Sequence, residues 1–100
     1  MKTFEELQEA VLDWADERKL LTADPNRQFL KVAEELGELA SAMAKNKPLD
    51  RIDAMGDVLV TLIILSAQLG IKPVSCLEVA YNEIADRKGS TVDGIFIKES

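Results

Sequence analysis

Three glutamates, Glu34, Glu35 and Glu38, fall within five positions of the stretch KVAEELGELASAMA, and two aspartates, Asp53 and Asp57, stand at the head of the apolar run in RIDAMGDVLVTLIILSAQLG. Carboxylates at this density repel one another, and burial costs each ion roughly several kcal/mol even after relaxation. Protonation of some members relieves the repulsion, and so does a bound divalent cation. An oxygen-only donor set suits a hard ion, Mg²⁺ or Mn²⁺, which keeps part of its water and accepts phosphate oxygens as further ligands. The same glutamates also suit a solvated helix flank, and Asp50 and Asp53 suit the first turn of a helix, where negative charge meets the positive end of the dipole. Asp57 lies beyond any such first turn and directly before the apolar run, so neither alternative accounts for it.

Other chemistries are excluded by what the chain lacks. It has no histidine, which removes Ser/His catalysis and His-based zinc sites. Cys76 is the one cysteine, so no intramolecular disulfide can form; this predicts a reducing, cytoplasmic setting and an inert packed thiol. A net charge of −6 argues against binding a nucleic-acid polymer, which needs a basic stripe to neutralise phosphates. A single nucleotide, whose phosphates a metal and a few local cations can meet, is not excluded. The acidic, amphipathic start MKTFEELQEAVLDW is unlike a secretory signal. The uncharged run Val58–Ile71 is shorter than the roughly 20 residues that span a bilayer, so no membrane association is expected.

The elements that must hold these carboxylates are helical. The 100 residues are 47% hydrophobic and 30% charged, a profile that predicts one all-α domain over residues 1–100. Phe4, Leu7, Val11, Leu12, Trp14 and Ala15 mark a first helix fading near Lys19. Asp24-Pro25 supplies an N-cap and a proline at the first helical position for a second, which runs to about Lys45. A third begins between Pro48 and Asp50 and stops at Gly70. Ser75 with Glu78 has the spacing of a capping box for a fourth, ending at Gly89. The tail STVDGIFIKES has no helical period and is expected as a short extended arm. Short loops between four such helices predict an antiparallel four-helix bundle.

The third helix is apolar round nearly its whole circumference, which means burial on all sides. One chain of this size can barely surround it, so two or more copies are expected to pack together. Gln28, Lys31, Glu35 and Glu38 share one flank of the second helix, and Asp53 and Asp57 lie one turn apart on the third. Antiparallel packing of the two brings both acidic pairs to similar depth. Gly37 and Gly56 sit inside helices, at about 1 kcal/mol each relative to alanine, and predict close helix approach beside the acids.

In order and spacing, EELGEL, IDAMGDVLVTLIILSAQLGI and CLEVAYNEIADRKG…DGIFIK resemble the MazG-like nucleotide pyrophosphohydrolases of the all-α NTP pyrophosphatase superfamily, over roughly Gln28 to Lys98. The resemblance implies a homodimer or homotetramer that hydrolyses the α–β phosphoanhydride of an NTP or dNTP, releasing pyrophosphate and a monophosphate, with Mg²⁺ required and Mn²⁺ an alternative. Nucleotide-pool house-cleaning is the implied role. The first metal motif of these enzymes, E-x-x-E, falls on Glu35 and Glu38, with Glu34 beside them. The second, E-x-x-D, falls on Asp57 but meets Ala54 where its other acid belongs. Asp53, one residue earlier, shares a face with Asp57 and is the stand-in.

Either Glu34 or Glu38 is a candidate to take the proton of the attacking water, and the sequence does not choose between them. Lys31, Arg87, Lys88 and Lys98 are candidates to contact phosphates and Gln28 to contact the substrate, while the resemblance implies that Tyr81, Asn82 and Arg87 help hold the nucleotide. Tyr81 as core, and Arg87 and Lys88 as cations at a helix C-terminus, are ordinary alternatives. Trp14 is placed either to stack on a base or to pack in a core or interface. Two rival functions remain: a non-catalytic helical protein that dimerises or binds nucleotide, which Ala54 favours, and hydrolysis of phosphoribosyl-ATP, which shares the chemistry with a different substrate.

Overall fold

Local chemistry sets the helix ends. In the computed structural model, which describes residues 1–99, the order is α1 (Phe4–Glu17), α2 (Pro25–Lys45), α3 (Pro48–Gln68), α4 (Pro73–Ile84), β1 (Gly89–Val92) and β2 (Ile95–Lys98). A capping box opens α1: Thr3 Oγ1 accepts from the Glu6 N–H at 3.1 Å, and the Glu6 carboxylate accepts from the Thr3 N–H at 2.9 Å. The Thr3 backbone N–H, then its hydroxyl, hold the Glu6 carboxyl below its usual range. Asp24 caps α2 by accepting from Asn26 N–H at 2.9 Å, with Pro25 at the first position as expected. Asn46, left-handed at φ 53°, closes α2, and the left-handed Gly70 follows α3.

Two boundaries differ from the sequence expectation. Ser75 and Glu78 form no capping box; α4 begins three residues earlier, with Lys72 at the N-cap, because Pro73 already has the fixed φ of a first helical position. It also ends at Ile84 rather than Gly89, since Gly89 belongs to a strand. The tail is extended, as expected, and folds back on itself as a β-hairpin. Gly89 pairs with Lys98 and Val92 with Ile95 across a two-residue turn, Asp93-Gly94, with φ of 50° and 78°.

The main packing is α2 antiparallel against α3, with α1 on another side of α3. Val32 and Ala42 of α2, Ala15 of α1, and Ala54, Val58, Ile63 and Ile64 of α3 are the buried apolar residues. The all-α fold expected from the periodicity is present, but the four helices of one chain do not close on each other. The axes of α3 and α4 meet at 102°, so α4 touches α3 only near their joint, and the hairpin packs on no helix. Among the described residues no single helix is long and apolar enough to cross a membrane.

This leaves apolar surface in ordered stripes. Ile52, Met55, Leu59 and Leu62 line one exposed edge of α3, and Val74, Leu77, Tyr81 and Ile84 repeat the same spacing on α4. The accessible surface is 8053 Å², against about 5,600 Å² for a folded monomer of this mass. The radius of gyration is 16.1 Å, where a compact chain of this length has about 13 Å. Gly37 and Gly56 are not explained by close helix approach, since a Cβ on either would meet nothing within 4 Å.

Arg51 fixes the α2–α3 corner. Its Nη2 donates to Met43 O at 3.0 Å and to Asn46 Oδ1 at 2.9 Å, and its Nε to Ala42 O at 3.4 Å, so one guanidinium satisfies carbonyls that the end of α2 leaves open. Arg51→Ala is expected to cost roughly 1–3 kcal/mol. Thermal unfolding of matched proteins checks this: a fall in Tm of about 4 °C or more is expected for a domain of this size, and an unchanged Tm would remove Arg51 from this role.

Candidate active site

Once α2 and α3 run antiparallel, the acids of both helices face one another. Glu35 and Glu38 from α2 and Asp50, Asp53 and Asp57 from α3 line a single cavity of about 280 Å³, with Ser41, Lys45 and Ala54 completing its wall. Asp50 was not among the expected site residues. Its signal was present, since positions 50, 53 or 54, and 57 fall on one helical face. Ala54 is 6% exposed and lines this cavity at the position where the second acidic motif expects a carboxylate. Asp53 is exposed and lines the same wall, whereas Asp57 is half-buried.

A second cavity of about 520 Å³ adjoins the first and shares Glu35 and Asp57 with it. Its walls are mostly apolar, with Leu20, Ala23, Val60 and Ile64, and besides the shared acids its polar groups come from Asp24, Arg27, Gln28, Lys31, Thr61 and Gln68. Gln28 Nε2 donates to Thr61 O at 3.1 Å and so bridges α2 and α3 across the middle of this pocket. Thr61 Oγ1 is turned back onto its own helix, donating toward Val58 O at 2.9 Å. Trp14 lines the pocket edge while remaining 47% exposed, with the Arg18 guanidinium 4.3 Å above its ring.

The cations and acids divide unequally. Lys31 Nζ lies 3.4 Å from Glu34 and 3.5 Å from Glu35, where the Glu35 side chain is only 14% exposed. The charge of Glu34, its hydrogen bond, and then Glu35 raise the Lys31 pKa above its ordinary value, so Lys31 is cationic throughout the physiological range. Glu34 points along the outer flank and lines neither cavity, whereas Glu38 lines the carboxylate cavity and makes no ion pair among the described residues.

The structure brings Gln28, Lys31, Glu35, Glu38, Asp53 and Asp57 to these adjoining cavities. It does not bring Tyr81, Asn82, Arg87 or Lys98 there: α4 and the hairpin turn away, and all four are exposed. Among the described residues, no three acids converge closely enough to form a ready-made cage for an ion. Oxygen donors on facing helices fit Mg²⁺ all the same, because that ion is commonly held by one or two carboxylates, with water and phosphate oxygens as its remaining ligands.

The chain is all-α, and it is placed in the all-α MazG-like NTP pyrophosphatase superfamily. Within that superfamily the chain belongs to the phosphoribosyl-ATP pyrophosphohydrolase family, whose model matches residues 1–84. Members of that family are hydrolases acting on phosphoanhydride bonds. The chain is also 40% identical, over 75 residues, to an uncharacterized 18.2 kDa protein in the rep-hol intergenic region of Haemophilus phage HP1 (strain HP1c1). That alignment takes in 74% of this chain and 46% of the relative, so the chain spans less than half of the relative's length. No solved structure matches it.

Five acids around one cavity, with Lys45 the one cation lining it, predict mutual repulsion in metal-free protein. Asp53→Asn is expected to raise the Tm of metal-free protein at low ionic strength, and the gain should shrink at about 1 M salt, where the Debye length is about 3 Å. Scanning calorimetry at both salt concentrations checks this, and a salt-independent change of either sign would contradict it.

Proposed function

We propose that the chain is a Mg²⁺-dependent nucleotide pyrophosphohydrolase of the cytoplasm, acting on the α–β phosphoanhydride of a nucleoside triphosphate or deoxynucleoside triphosphate. One observation carries this reading: Glu35 and Asp57 stand on the wall common to the carboxylate cavity and the apolar pocket. A molecule with phosphates at one end and a flat apolar ring at the other is the ligand that such a junction suits. Family membership supports the reaction class.

Glu35, Glu38 and Asp57, with Asp53 in place of the acid absent at Ala54, are the residues to hold the cation. A bound Mg²⁺ would neutralise phosphate charge and make a coordinated water acidic enough to serve as nucleophile near neutral pH. Glu38 is the better-placed proton acceptor, because Glu34 is engaged by Lys31 outside the cavity. The water oxygen adds to phosphorus, its proton passes to the carboxylate, and pyrophosphate or its monophosphate counterpart leaves with the bridging oxygen. Positioning and charge neutralisation suffice for such a transfer, without a covalent intermediate. Lys31 supplies a fixed positive charge between the two cavities.

The family match favours a second reading, hydrolysis of phosphoribosyl-ATP, which uses the same carboxylates on a bulkier substrate. Pyrophosphate release from a panel of NTPs, dNTPs and phosphoribosyl-ATP with Mg²⁺ separates the two. Release from none of them would leave a helical nucleotide-binding protein without turnover. Asp57→Asn is expected to be close to inactive, and Asp53→Asn to lose at least about tenfold with its fold intact, since removal of one charge-stabilising group typically costs that much or more. Initial rates at saturating Mg²⁺ measure both, and wild-type turnover in Asp53→Asn would show that Asp53 is not a ligand.

The working unit is a homo-oligomer, at least a dimer. The chain exposes roughly 2,400 Å² more than a folded monomer of its mass, and the exposed α3 and α4 stripes have the spacing of helix-packing seams. Tyr81, Asn82, Arg87 and Lys98, which lie away from their own chain's cavities, are then available to a neighbouring copy. Sedimentation at micromolar concentration is expected to give a dimer or tetramer, and a stable folded monomer would overturn this.

A further inference from the structure

Apolar surface is left open in two places that lie one helix apart. The first is a groove of about 560 Å³ between α1, α3 and the start of α4. Phe4, Leu59, Leu62, Val74 and Leu77 wall it, each between 41% and 69% exposed. The second is the hairpin. Directly opposite residues of an antiparallel pair share a face, so Ser90, Val92, Ile95 and Ile97 lie on one side, and Gly89, Thr91, Phe96 and Lys98 on the other. The Phe96 side is partly covered from within, because its ring lies over Gly89, where a Cβ would come within 2.6 Å of Cζ. Val92, Ile95 and Ile97 have no such cover and are 52–65% exposed.

A two-stranded hairpin is marginal by itself in water, so its apolar face needs something to pack on. Its own chain does not supply it: among the described residues the hairpin packs on no helix. The groove takes in the first turn of α4 and the hairpin follows its last, with a helix of 12 residues, about 18 Å, between them. Along that helix runs the stripe of Val74, Leu77, Tyr81 and Ile84, which starts in the groove and continues toward the hairpin. The 102° bend after α3 leaves the far half of this stripe without cover from its own chain.

We infer that two copies of this chain exchange hairpins: their α4 helices lie antiparallel along the stripe, and the Val92, Ile95 and Ile97 face of each copy closes the groove of the other. Antiparallel α4 helices bring the hairpin end of each copy to the groove end of its neighbour, so one two-fold axis forms both contacts at once. The areas agree. An excess of roughly 2,400 Å² per chain makes roughly 4,800 Å² for a pair, within the range of obligate homodimer interfaces. This rests on the reading of the working unit as a homo-oligomer, and assigns the segment and the surface that build it.

Disulfides between chains test it, in full-length protein with Cys76→Ser as background. Protein carrying Ile97→Cys is mixed with protein carrying Leu62→Cys, oxidised, and the joined peptides are identified by mass spectrometry. The Ile97–Leu62 link is expected to dominate. Ile52→Cys in place of Leu62→Cys is the control: Ile52 is 70% exposed on the same helix but outside the groove, about 15 Å from Leu62, and a disulfide needs Cα atoms within about 7 Å. Ile97→Lys, followed by sedimentation, is expected to raise the dissociation constant about a hundredfold or more, since a two-fold dimer loses the buried side chain twice. Its helical circular dichroism should not change. Should that variant aggregate, the disulfides decide alone. Absence of the Ile97–Leu62 link, equal linking to Ile52, or Ile97 joined chiefly to Ile97, as when hairpins pair with one another, overturns the exchange. An unchanged dissociation constant in soluble Ile97→Lys does the same, and the oligomeric reading survives each of these results. A folded wild-type monomer at micromolar concentration defeats both.

Discussion

Everything in this molecule depends on a conflict within α3, a helix that is apolar over most of its circumference yet carries three aspartates, Asp50, Asp53 and Asp57, in its first half. Apolar packing against α2 is what forces the acids of the two helices to face each other, and among the described residues Lys45 and Lys31 meet only part of that charge. The packing that stabilises the fold therefore concentrates negative charge at one level of the helix pair. Charge concentrated in this way is what a hard cation and a polyphosphate together can use.

Polar bridges fix the register of that contact along its length. Arg51 closes the corner next to the carboxylates, Gln28 joins α2 to α3 halfway along, and Gln68 ties the far end of α3 to the loop after α1. Each uses a side chain to satisfy a main-chain carbonyl, so each fixes position more than it adds burial. A slip of one turn would break all three and separate Glu35 from Asp57. The acid end and the apolar end of the site are thus held in register by the same helix pair.

Much of this was legible in the sequence, and the exceptions have physical causes. Asp24-Pro25 and the left-handed Gly70 announced their boundaries because their chemistry is strictly local. The facing of Glu35 and Glu38 toward Asp53 and Asp57 followed from helical spacing and a short link. At the start of α4 two local signals competed, and proline at the first position won over a serine–glutamate pair two residues later. The hairpin was hidden by its shortness, although Asp93-Gly94 between apolar residues is a recognised turn signal. Gln68 could not have been singled out, since a glutamine near the end of an apolar run looks like any helix terminus until its amide is seen to reach Leu20. The outward course of α4, and with it the distance of Tyr81 and Asn82 from the acids, depends on a 102° bend that no local pattern encodes.

The link between α2 and α3 is only two residues long, Asn46 and Lys47, and this bears on how the chain folds in time. Contacts between helices joined so closely are local in sequence, and local contacts form fast, whereas association of separate chains is slower and depends on concentration. The helical hairpin that carries the carboxylates is thus suited to form early, ahead of any association between chains. Its acids then meet in a nascent chain with no partner present. Dissolved cations, by screening that encounter, become a kinetic variable in folding.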